Sequence, residues 1–155
     1  MERSYVADNA RELERLRALV SKLSDEELGS MVNEYWTVAG VLGHMAFWDG
    51  CALFLAGKLQ RDGAFTHSDS EPQNVDWIND STRPLILAIP PRKAAEVALR
   101  IAEETDELIA SLSPELVAKI DDDSPLNPYR AEHRGEHLDE IEAAIAARDA
   151  ARRPT

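Results

Sequence analysis

His133 and His137 stand four residues apart in the stretch Tyr129-Arg-Ala-Glu-His-Arg-Gly-Glu-His-Leu-Asp-Glu-Ile141. In a helix of 3.6 residues per turn, positions i and i+4 stack on one face, so both imidazoles can reach the same point. That face continues as an apolar stripe through Ile141, Ala144 and Ile145. Neutral imidazole is the commonest metal ligand, and an i, i+4 pair is a two-point chelate. A third histidine, His44, lies on another apolar stripe made of Val41, Met45, Trp48, Ala52 and Leu55. Three inward histidines on two helices would make a three-nitrogen site with open positions, a pattern that catalytic zinc uses. The competing reading is a set of core histidines hydrogen bonded to carboxylates such as Glu132, Glu136 or Asp139.

Other residues near these positions are candidates for the surrounding pocket. Glu136 precedes His137 by one residue and projects about 100° away from it, so the neighbouring acids flank the pair rather than face its target. No general base is evident. Cys51 falls two turns after His44 on the same face; its type suits a small buried hydrophobe better than a thiol ligand. Trp48 and Trp77 can line a pocket or fill a core. Asn79 can orient a ligand histidine or cap a turn. Arg83, Arg130 and Arg134 could form a basic rim. His67 lies in an aperiodic polar stretch and reads as a solvated loop residue. Several chemistries are excluded: the chain has no glycine-rich phosphate loop, Gly-x-Ser-x-Gly, HExxH or CxxC. The Glu-x-x-His pair of di-iron bundles is missing too, because Arg130 and Arg134 stand three before the two histidines. A mononuclear site is expected.

The elements that must hold these residues read as helices. The first spans about Ser4 to Lys22, with Leu13, Leu16, Val20 and Leu23 at helical spacing. Ser24-Asp-Glu-Glu27 has capping-box form. The second runs from about Thr37, a plausible N-cap, to Leu59, interrupted only by Asp49 and Lys58. The third spans about Arg92 to Leu112, with Val97, Ile101, Leu108 and Ile109 as core face and Glu103, Glu104, Asp106 and Glu107 on the wet side. Ser113-Pro-Glu-Leu116 opens a short helix. The fourth long helix begins at Asn127-Pro128 and carries the histidine pair. Residues 61–89 form a long connection, functional or a crossover between helices two and three. Within it Leu85-Ile-Leu-Ala-Ile89 fits a short strand or a helix. The expected fold is all-α: one four-helix-bundle domain over residues 1–155.

The chain has 155 residues, of which 44% are hydrophobic and 30% charged, with a formal net charge of -12. With 29 acidic against 17 basic residues, that charge speaks against nucleic acid and anionic membranes as partners. One cysteine allows no intrachain disulfide and suits a reducing compartment. The N-terminus lacks an apolar signal core and no apolar run approaches the ~20 residues of a membrane span, so a cytoplasmic protein acting on small molecules is expected.

In this order the motifs resemble the DinB/YfiT-like family of four-helix metalloproteins. Trp36-Thr-Val-Ala-Gly-Val-Leu-Gly-His44-Met-Ala-Phe-Trp48 is similar to the family's tryptophan, helix and histidine. Asp76-Trp-Ile-Asn79 resembles its Asp/Asn segment between helices two and three, and His133-Arg-Gly-Glu-His137 resembles its HxxxH on the last helix. The likeness covers nearly the whole chain. It implies an up-down-down-up bundle, a divalent metal (zinc or nickel) held by His44, His133 and His137, and frequent homodimers. The family includes transferases and isomerases, among them the maleylpyruvate type, that use low-molecular-weight thiols such as mycothiol or bacillithiol. It also includes members that bind metal or ligand with no assigned activity.

Overall fold

The computed structural model describes residues 3–153. It is all-helical, with 74% of the described residues in helix. Among the described residues the only β pairing is one isolated antiparallel bridge, Met31 to Thr37. Four long helices carry the fold: α1 (Ser4–Lys22), α3 (Val38–Asp62), α5 (Pro91–Ser111) and α7 (Ala131–Arg152). Three shorter ones, α2 (Asp25–Leu28), α4 (Val75–Leu87) and α6 (Pro114–Val117), sit in the connections. Helix α3 packs most extensively on α5; α1 packs on α5 and α7, and α7 returns to α3, which closes the ring.

The expected caps form. Ser24 accepts from Glu27 N while Glu27 returns a carboxylate to Ser24 N, and Thr37 Oγ1 accepts from Gly40 N at 2.9 Å. Gly63 ends α3 at φ +74, a left-handed conformation that a side chain would strain.

Helix α3 is the core helix. It is long and apolar enough to cross a membrane by length and composition, contrary to the expectation that no run approaches that size, yet 61% of its most apolar window is buried in the protein. The face α5 turns inward also differs from expectation. It is a small-residue stripe, Ala94, Ala95, Ala98, Ala102 and Thr105, with Ile109, while Val97, Ile101 and Leu108 pack only partly. Small side chains let α5 approach α3 closely, and the large apolar groups close the seam at its edges. Asp106, expected on the wet side, turns inward to bind Arg134.

The 61–89 connection is more ordered than its composition suggests. After a 3-10 turn over His67–Ser70 it forms α4, so Leu85-Ile-Leu is helical and Asp76-Trp-Ile-Asn79 is that helix's first turns. Asn74 caps it, accepting from Asp76 N and Trp77 N. Two glycines of α3 seat α4. A Cβ on Gly40 would meet Leu87 at 2.8 Å, and one on Gly43 would meet Ile86 at 2.7 Å. The last long helix starts at Ala131, later than Asn127-Pro128, because Asn127 is spent on a turn, accepting from Tyr129 N. Its N-terminus is capped from α1: buried Asn9 accepts from Arg130 N and Ala131 N, both at 2.9 Å, and donates to Pro128 O.

Candidate metal centre

His44 on α3 and His133 and His137 on α7 come together. One ring nitrogen from each can be chosen so that all three lie within 4.8 Å of one another. Their ring centroids are 4.7 to 5.4 Å apart. Trp36 packs on His44 at 5.5 Å. His137 Nδ1 pairs with Glu140 Oε2 at 3.0 Å, which leaves Nε2 as its free ligand atom. Glu140 lies one turn after His137, an i, i+3 step on the same helix that the flanking acids Glu132, Glu136 and Asp139 mask in the sequence. Asp139 instead pairs with Arg15.

The Nδ1 atoms of His44 and His133 are buried with no hydrogen-bond partner among the described residues. Buried polar atoms are seldom left so, and each such atom calls for an explanation. Burial first, then repulsion from His137, pushes His44 down to about 4. The same two causes, with Arg130 adding to them, push His133 down to about 3. Both rings are therefore neutral at pH 7, the form a metal requires. Two neutral imidazoles with an orphaned nitrogen each, and a third imidazole fixed by a carboxylate, fit a divalent transition metal such as zinc.

In front of the histidines lies a cleft of about 400 Å³ lined by Trp48, Val75, Asn79, Asn127 and Arg130. It adjoins a larger apolar cavity of about 620 Å³, which shares Trp48, Val75, Asn127 and Arg130 and adds Phe47, Cys51, Leu55 and Ile78. Asn79 does not reach a ligand histidine or cap a helix. Its Oδ1 accepts from Trp48 Nε1 at 2.9 Å and so pins α4 over the cleft. Cys51 belongs to the wall of the larger cavity, where burial pushes its thiol above the ordinary value.

Three expected pocket residues lie elsewhere. Trp77 points outward, 59% exposed. Arg83 pairs with Asp80 and lies over the Tyr35 ring at 4.9 Å. Arg134, next to His133, faces the opposite way into the core and is fully buried. Its Nε donates to Asp49 at 2.8 Å, and its two terminal nitrogens grip Asp106 at 2.8 Å each. Arg130 donates its Nε to the other oxygen of Asp49 at 2.9 Å. Sequence reading missed this network, although its signal was visible: Asp49 is the one acid amid the apolar run of α3 before Asp62. Compared with family models, curated proteins and solved structures, the chain matches none.

Proposed function

We propose that this chain is a DinB-like up-down-down-up four-helix bundle that binds one divalent metal through His44, His133 and His137. We read it as a metal-dependent transferase or isomerase that brings a low-molecular-weight thiol to a small electrophile. The observation that carries the metal is the pair of buried, unpartnered Nδ1 atoms in a three-histidine cluster. The ring of four long helices, with α4 in the connection between the second and third, supports the bundle. A homodimer and a cytoplasmic setting belong to the same reading.

Each residue then has a task. The three histidines hold the ion, Glu140 fixes the tautomer and angle of His137, and Trp36 shields His44. Trp48 and Asn79 hold α4 as a roof, which keeps the apolar side of the cleft closed. Zinc or nickel held there would supply Lewis acidity, lowering the pKa of a thiol or water bound to it. Among the described residues no carboxylate lines the cleft before the histidines, and Glu140, in the adjoining pocket at His44 and His137, is taken up by His137, so no carboxylate is left as a general base there. That same observation favours the second reading, a bundle of this fold that binds metal or ligand without turnover.

The first test is metal content by elemental analysis of tag-free protein, wild type beside His133→Ala. About one zinc or nickel per chain, lost in the variant, leads on to thiol and electrophile screens. Light scattering checks the dimer on the same sample. No metal after reconstitution, with the variant equally stable, removes the reading.

A further inference from the structure

The side chain of Arg130 is half used. It is about nine-tenths buried, with 10% of its surface exposed, and its Nε is taken by Asp49 at 2.9 Å. Its two terminal nitrogens meet no acceptor among the described residues. A guanidinium is a planar fork whose remaining edge is shaped for a two-oxygen anion. Arg130 lines both the histidine cleft and the larger cavity, at the point where they join. In the cleft it stands with His133 as a lining residue.

The surroundings decide what could meet that edge. Asp49, Asp106, Arg130 and Arg134 sum to zero charge, so nothing in their network repels an incoming anion. Among the described residues the histidine cleft itself is lined by no carboxylate, and Glu140, which borders the adjoining pocket at His44 and His137, is already paired with His137. Beyond Arg130 the cavity walls are Phe47, Trp48, Leu55, Val75 and Ile78, an apolar trough. Glu71 and Asp123 also border this cavity, with Asp69 already held by Lys58. Those acids would repel a second negative group.

We infer that the ligand of this cleft is a monoanionic small molecule with an apolar body, its carboxylate-type group on the free edge of Arg130 and its body in the trough beside Cys51. The inference deepens the proposed function and rests on it for the role of the histidines. Arg130 is thus a specificity-determining residue.

The test uses 1-naphthylacetate and its uncharged amide, 1-naphthylacetamide, with binding followed by calorimetry to millimolar concentrations. Both zinc-loaded and metal-free protein are titrated. The acid is expected to bind at least tenfold tighter than the amide in both forms. It should also slow alkylation of Cys51, the chain's single thiol, by iodoacetamide. R130Q should lose the preference in the metal-free form. Should that variant fail to fold, the wild-type comparison and the Cys51 protection still decide. Equal binding of acid and amide, no binding of either, or binding without protection of Cys51 overturns the inference. So does a preference that appears only with zinc, since the metal would then be the anion's partner. Preference and protection in a protein that takes up no zinc would support the inference and remove the metal reading instead.

Discussion

Two polar clusters lie side by side between α3 and α7, and they are built on opposite terms. One is Asp49 with Arg130 and Arg134, extended to Asp106 on α5. The other is His44 with His133 and His137. The same two helices supply both, and on α7 their members alternate: Arg130, His133, Arg134, His137. The first is charged and closed, except at the outer edge of Arg130. Both Asp49 oxygens and Arg134's Nε, Nη1 and Nη2 have partners within 2.8 to 2.9 Å. The second is open, with two buried ring nitrogens unpartnered among the described residues and a cleft before them. A cluster that satisfies itself fixes the register of α7 against α3 and α5. A cluster that does not is where a ligand gains the most. The closed one holds the open one in place.

The largest effect that tests this contrast is the loss of Asp49. Asp49→Ala would leave the Nε of a fully buried Arg134 unpaired and strip Arg130 of its protein partner. Breaking a buried ion pair from one side costs about 3–5 kcal/mol. Denaturant unfolding of metal-free protein should show a loss of that size. His133→Ala, measured alongside, should cost the metal-free protein far less, because it deletes a ring that had no hydrogen bond to lose. If the two variants lose equal stability, the histidines are part of the scaffold and the contrast fails.

How far these clusters were legible in the sequence follows the same division. The histidines could be read because helical spacing alone puts His133 and His137 on one face, and a lone histidine on an apolar stripe stands out at His44. The long helices could be read because their periodicity and caps are local. Arg134 could not. A charged residue between two inward histidines looks like a rim residue until its partners are known, and those are 28 and 85 positions away. Asp106 was misplaced for the same reason, being indistinguishable by pattern from Glu103, Glu104 and Glu107. Helix α4 hides because its seat is two glycines on another helix, Gly40 and Gly43, and glycine gives no hydrophobic signal. Glu140 was legible by spacing, as i+3 from His137, and was simply crowded out by nearer acids.

A smaller effect sharpens the open side of the comparison. Glu140 touches His137 and not the cleft, so Glu140→Gln keeps a hydrogen-bonding group of the same shape and removes its charge. Carboxylates behind a ligand histidine are worth 10–100-fold in metal affinity. Competition with a chromophoric chelator should show a loss in that range for zinc, with the unfolding free energy of metal-free protein within about 0.5 kcal/mol of wild type, as for other exposed surface changes. An unchanged zinc affinity would mean that the pair does not tune His137 and that Glu140 is surface charge.

The smallest effect is a pH dependence confined to the open cluster. In metal-free protein His44 is held down to about 4 and His133 to about 3, against 6.5 when unfolded. Between those values the unfolded chain binds protons that the folded one refuses. Stability is therefore complete above about pH 6.5 and falls as pH drops toward 4 and then 3. Partial solvent access discounts the effect to on the order of 1 kcal/mol per histidine by pH 5. The double variant His44→Ala, His133→Ala should unfold with a visibly flatter pH profile between 6.5 and 5. Zinc-loaded wild type should lose stability more steeply than the metal-free form, since protons then compete with the ion for the same nitrogens. A metal-free profile with the wild-type slope in the double variant would place the proton uptake elsewhere. The two buried nitrogens would then have lost their claim to be what sets this cluster apart from its charged neighbour.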